Sequence, residues 1–189
     1  RDLSLEGKDK KSRGEIVRNF LTSNSDPVTY LEKVKEERKA YAGFNVIVGT
    51  SGELYHYNNV ENSITKITPG THSLSNATLN TPWPKVVKGK NRLNEYIRNN
   101  EQINPERLFS ILEDEELAPD HELPDTGIGL ELERKLSASF IKTPDYGTRS
   151  ATVVLIDRNQ EVQFIERTYE NGDFKTENKF TFTLPITTK

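Results

Sequence analysis

The 189-residue chain has no cysteine and no methionine, one tryptophan and three histidines. Without cysteine these residues hold no disulfide frame, no thiolate zinc site and no thiol nucleophile. Without methionine, Arg1 is not a translational start, and the expectation is a processed or truncated chain whose beginning is missing. Long apolar runs are absent too. The longest, Val153-Val154-Leu155-Ile156, has the length of a strand, which excludes a membrane span and a secretory h-region. Nor is one sign of charge in command: 26 Lys and Arg stand against 29 Asp and Glu, a net charge of -3. Such a balance gives no bulk attraction to phosphate. The basic clusters, Lys8-Asp9-Lys10-Lys11 and Lys85 to Arg92, are interrupted by acids or apolar residues. Nucleic acid is not an expected partner, and a cytoplasmic location is the expectation.

What is present suits a single domain over residues 1–189. A quarter of the chain is Ile, Leu, Val or Phe, enough to form a core. Ser12-Arg13-Gly14-Glu15 reads as a capping box ahead of Ile16, Val17, Phe20 and Leu21 at helical spacing. Asp26-Pro27 offers a cap and a first-position proline for a second helix through Val28, Leu31 and Val34. Residues 44–49 and 54–58 read as a hairpin around Thr50-Ser51-Gly52-Glu53, with a further short strand over 64–68. His72 to Asn76 alternates like a strand. Helices are expected from Val86 to Ile97, after the Asn104-Pro105 cap, and over 130–140. The acidic, proline-containing segment 113–129 is long for a connector and reads as a lid or binding loop. Strands follow over 150–157, 161–169 and 174–184, the last two joined by Asn171-Gly172, a strong hairpin signal. The expected class is α+β, antiparallel sheet layered with helices.

Two stretches are dense in chemistry. Within 70–85, His72, Ser75, Asn76 and Trp83 lie among prolines and glycine. An Asn held at a strand end can offer its amide to a developing oxyanion; it can equally satisfy turn backbone. Trp83, between two prolines, is either a packing wedge or a pocket wall. The second stretch, Asp145-Tyr146-Gly147-Thr148-Arg149-Ser150, precedes the most apolar strand. Arg149 there can bind a carboxylate, or pair with Asp145 or Glu166 across the hairpin. His56, His72 and His121 lack the close spacing of a metal site, so neither a metal nor another cofactor is expected.

At these stretches the chain resembles the family named for an Asn-Arg-Asp-Glu motif, whose animal members are of the transport and Golgi organisation type. The matching segments include Ser12-Arg13-Gly14, Gly43-Phe44-Asn45-Val46-Ile47-Val48-Gly49, Leu74-Ser75-Asn76-Ala77 and Thr81-Pro82-Trp83-Pro84-Lys85-Val86. Further on they include Ala118-Pro119-Asp120, Leu123-Pro124-Asp125-Thr126-Gly127 and Tyr146-Gly147-Thr148-Arg149-Ser150. The family's start, with a Cys after the initiator Met and the naming motif, is not in this chain. The resemblance implies an N-terminal-nucleophile hydrolase fold, a four-layer αββα sandwich of which this chain is the C-terminal major part. It further implies cleavage of a linear amide C–N bond by a Cys upstream, whose own α-amine is the base. By similarity, Asn76 and Arg149 are the candidates for catalytic roles. Asn45, His72, Ser75, Trp83, Tyr146, Thr148 and Ser150 are candidates for substrate binding. The alternative is a carrier using the same pocket for haem or an acyl lipid, with His72 or His56 toward the iron and Trp83, Phe44 and Tyr146 as apolar wall. The expected partner is thus a small-molecule amide or acyl ligand, or haem.

Overall fold

A computed structural model describes residues 9–185. Its class is α+β, with two three-stranded antiparallel sheets. The chain divides into two compact units, the first running through Gly70 and taking in Leu74–Leu79, the second comprising Thr71–Ser73 and everything from Asn80 onward.

In the first unit, helix α1 (Gly14–Leu21) and helix α2 (Pro27–Glu36) precede the sheet β1 (Asn45–Gly49), β2 (Leu54–Asn58), β3 (Ser63–Ile67). The Asp26 side chain caps α2 by accepting from the N–H groups of Val28 and Thr29, and Pro27 takes the first helical position as expected. The capping box at Ser12 does not form. Arg13 already has helical angles, and the Glu15 N–H bonds to the Ser12 carbonyl, with no side-chain cap. The hairpin turns as expected at 50–53, and Gly49 is required there: a Cβ would run into the carbonyl oxygen of Glu53.

Alternation decides the faces of this sheet. Val46, Val48 and Tyr57 bury one face against Ile16 of α1 and Leu31 and Val34 of α2. Tyr57 is fully buried, and Tyr41, Phe44 and Tyr57 meet edge to face. Asn59, also fully buried, latches the chain entering β1: its side chain accepts from the Phe44 N–H at 2.6 Å and donates to the Ala42 carbonyl at 3.2 Å. Residues 72–76 are not a strand. Leu74 and Leu79 instead form an isolated bridge that closes a tight loop, so the polar–apolar alternation there reflects a loop with one side packed.

In the second unit, helix α3 (Pro84–Asn99), helix α4 (Pro105–Leu112) and helix α5 (Leu130–Lys135) lead to β4 (Ser150–Ile156), β5 (Glu161–Glu170) and β6 (Asp173–Thr183). Asn104 caps α4 through the Glu106 N–H. The expected helix over 130–140 stops at Lys135, where Ser137 turns its hydroxyl onto the Arg134 carbonyl. Segment 113–129 is irregular apart from one 3-10 turn at Asp120–Glu122. Phe109 of α4 is fully buried against Ala151, Val153, Ile165 and Tyr169 of the sheet and against Phe140. Asn171 and Gly172 both take positive φ, 53° and 82°, as a tight type I′ connection demands.

Candidate functional site

The cavity that gathers the most sequence-flagged residues lies in the first unit and measures about 820 Å³. Its floor is the start of β1; α1 and the 74–79 loop form its sides. Asn45, Ser75 and Asn76 line it, with Phe44, Leu74 and Val17 among its apolar walls. Among the described residues Arg13 is the one charged residue lining it, and its guanidinium donates to the Gly43 carbonyl at 3.2 Å.

The geometry grows from strand register. Asn45 pairs with Asn58, and Ile47 with His56, so Asn45, His56 and Asn58 share the sheet face turned away from the aromatic core. The Asn45 amide nitrogen donates to the carbonyl of Ala77 at 2.7 Å and of Ser75 at 3.4 Å. Carbonyls only accept, so the amide's orientation is fixed by its partners. Its oxygen then receives Asn58 Nδ2 at 2.9 Å and His56 Nε2 at 2.8 Å. A carboxamide oxygen carries no proton, so His56 must hold one on Nε2. Burial pushes the His56 imidazole below its ordinary value near 6.5, because only 1% of the residue reaches solvent. Asn58 adds a weaker bond to the Ala77 carbonyl at 3.3 Å and accepts from the Glu61 N–H.

The consequence falls on Asn76. The carbonyls on either side of it are clamped to the sheet, while Asn76 itself is exposed on the cavity wall. Its side chain makes no hydrogen bond among the described residues, so it is not spent on turn backbone. Asn45 therefore acts on Asn76 by holding its loop. Asn58 and Arg13 are cavity residues that inspection of the sequence missed. The spacing held a signal for Asn58: a hairpin centred on 50–53 puts positions 45, 56 and 58 on one face.

The other flagged residues belong to the second unit. His72 Nδ1 lies 3.0 Å from Asn80 Nδ2. The Asn80 oxygen accepts from Lys90 Nζ and the Ser73 N–H, so its nitrogen is the donor to His72. Trp83, half-buried, is the residue before α3, with extended angles imposed by Pro84. Thr148 spends its hydroxyl on the Ile141 N–H at 2.9 Å. Tyr146 is 64% exposed on a short hairpin closed by a Lys142–Gly147 bridge. Ser150 opens β4 and Arg149 immediately precedes it, both exposed. Glu166 meets Thr152, and among the described residues no ion pair joins Arg149 to Asp145 or Glu166. Neither His56 nor His72 lines the cavity. Among the described residues no three His, Cys, Asp or Glu side chains gather to hold a metal ion, and no helix is long and apolar enough to cross a membrane.

Comparison with known proteins accords with the segments quoted above. The mouse protein named Transport and Golgi organization 2 homolog is 36% identical over 191 residues, covering 93% of this chain and 69% of its own length. The cattle homologue is 36% identical over 180 residues, and the human homologue 35% identical over 176. Each of those two alignments covers 86% of this chain and 64% of the relative, so the chain spans about two thirds of the relatives' length. The sequence model of the family described as Transport and Golgi organisation 2 matches residues 2–171, and the chain belongs to that family.

Proposed function

We propose that the β1 cavity is the acyl-amide site of an N-terminal-nucleophile type hydrolase, whose attacking cysteine is supplied from outside these 189 residues. The finer fold assignment, a single αββα domain, goes with this reading. The observation that carries it is the state of Asn76: an exposed carboxamide with no hydrogen-bond partner among the described residues, on a loop whose flanking carbonyls are clamped by Asn45. A preorganised donor of this kind stabilises charge as it develops on a carbonyl oxygen and needs little reorganisation at that moment. The thiolate would attack the amide carbon and the carbonyl electrons would move to oxygen, facing the Asn76 amide. Collapse expels the amine, and water then releases the acyl group from sulfur. Arg149, which makes no ion pair with Asp145 or Glu166 among the described residues, is proposed as a cation for a substrate carboxylate.

The test is Asn76→Ala in the full-length protein, assayed against a panel of acyl amides. The expected loss is about 10²–10³ in kcat with KM little changed. A second reading, a carrier for an acyl ligand, is favoured by the cavity's apolar walls at Val17, Phe44 and Leu74. It predicts the opposite pattern, in which fatty-acyl binding falls and no turnover is found in either protein.

A further inference from the structure

The proline-flanked start of α3 holds a lysine that the cavity in the first unit does not use. Lys85 follows Pro84, the first residue of a 16-residue helix. A cation in a first helical turn faces the positive end of the helix dipole. The Lys85 ammonium is half-buried and donates to the Leu136 carbonyl at 2.7 Å. The acid whose field reaches it is Glu133 of α5. One oxygen of that carboxylate already accepts from the N–H and hydroxyl of Thr126, and no ion pair joins it to Lys85 among the described residues. The other cations of this helix face are neutralised by the segment after α4. Lys88 pairs with Asp114 and Glu116, and Arg92 with Asp114. Burial accordingly holds Lys85 below the usual lysine range.

Lys85 opens onto a cleft of about 660 Å³ in the second unit, where Pro82, Pro84, Leu117 and Pro119 supply apolar wall. Glu95, Asp114, Glu116 and Glu122 line the same cleft against the cations Lys85, Lys88 and Arg92. Lys88 and Arg92 are already paired with these acids, so the balance of charge there does not favour an anionic ligand. We propose that Lys85 is a reactive amine that captures small, uncharged, apolar aldehydes in this cleft as a Schiff base. The amine lone pair attacks the aldehyde carbon and forms the C–N bond. The two amine protons leave with the carbonyl oxygen as water, giving the imine with no change of oxidation state. This inference is independent of the hydrolase reading, since it concerns a different cleft and needs no thiol.

The test is limited labelling of the native chain with butanal and cyanoborohydride near neutral pH, followed by peptide mapping. A lysine held below its ordinary value carries more free amine at a given pH, so Lys85 is expected to be alkylated faster than the exposed lysines. Pyruvate, an anionic carbonyl compound, should give no such preference. Lys85→Arg should lose the fast adduct and retain the far-ultraviolet dichroism of the parent. Labelling of Lys85 at or below the rate of exposed lysines would overturn the proposal. So would equal preference with pyruvate, because the cleft would then not be selecting its ligand as argued.

Discussion

The residue that sets the candidate site is one that no substrate need touch. Asn45 uses both ends of its amide, two carbonyls on one side and two donors on the other. Truncating it leaves the His56 Nε2–H without its acceptor and Asn58 with only its weaker bond to the Ala77 carbonyl, a loss of about 1–3 kcal/mol. The same cluster makes stability depend on pH, and the sign follows from burial. The unfolded chain takes up a proton on His56 as pH falls below about 6.5, whereas the folded chain resists it, its imidazole being held lower. The contribution is therefore complete above the unfolded value and is lost progressively as pH falls from there toward the folded value. Urea unfolding between pH 8 and pH 5 should show stability declining on the acid side. His56→Gln, which keeps a donor toward Asn45, should flatten part of that decline; an unchanged slope would mean that His56 is not the group responsible.

At the scale of elements, β5 is tied to its neighbours by one guanidinium. Arg167 pairs with Glu106 of α4, with Glu113 just after it and with Glu177 of β6, and lies 3.9 Å over the Phe109 ring. These charges raise its pKa further above an already high value. Its side chain is largely buried while Glu106 is mostly exposed, so the cluster falls between a surface pair and a buried one. Arg167→Met should cost about 2 kcal/mol, and Arg167→Lys nearly as much because a point charge cannot serve three carboxylates and a ring face. Urea midpoints check this, and a Lys variant indistinguishable from the parent would remove the fork from the explanation. These strands were legible in the sequence because alternation, the turn at 50–53 and Asn171-Gly172 all point to the same pairing. Local signals misled where long-range bonds decided. The run from His72 to Asn76 alternates polar and apolar residues, yet the carbonyls of Ser75 and of Ala77 just beyond it go to Asn45 rather than to a ladder. The helix expected through 140 ends early because Ser137 bonds back to Arg134 and the Phe140 N–H bonds to the Asp114 carbonyl. Asn58 and Arg13 escaped notice because their roles depend on register and on the α1–β1 approach, which no single segment encodes.

At the scale of the whole molecule, the property that follows is how the chain behaves in solution. Register places Val154, Phe164 and Phe180 in one cross-strand row and Ile156, Val162 and Phe182 in the next. Paired residues point to the same side of a sheet, so these rows share one face, opposite the face that packs on Phe109. Phe180 is 58% exposed, and Val154, Ile156 and Phe182 are nearly as open, while Phe164 and Val162 on the middle strand are half-buried and buried. A contiguous apolar face of this kind promotes association unless charge opposes it. The net charge is only -3 at pH 7, and the isoelectric point lies near pH 5.8, so repulsion is weak and vanishes about one unit below neutrality. Light scattering of this chain should therefore rise as pH approaches 5.8 and fall again on either side. Phe180→Thr with Phe182→Thr should suppress that maximum and reduce binding of an apolar dye, while unfolding midpoints stay nearly unchanged because both rings are already open to water. If the double variant scatters as strongly as the parent, the association does not run through this sheet face, and charge neutralisation alone would account for it.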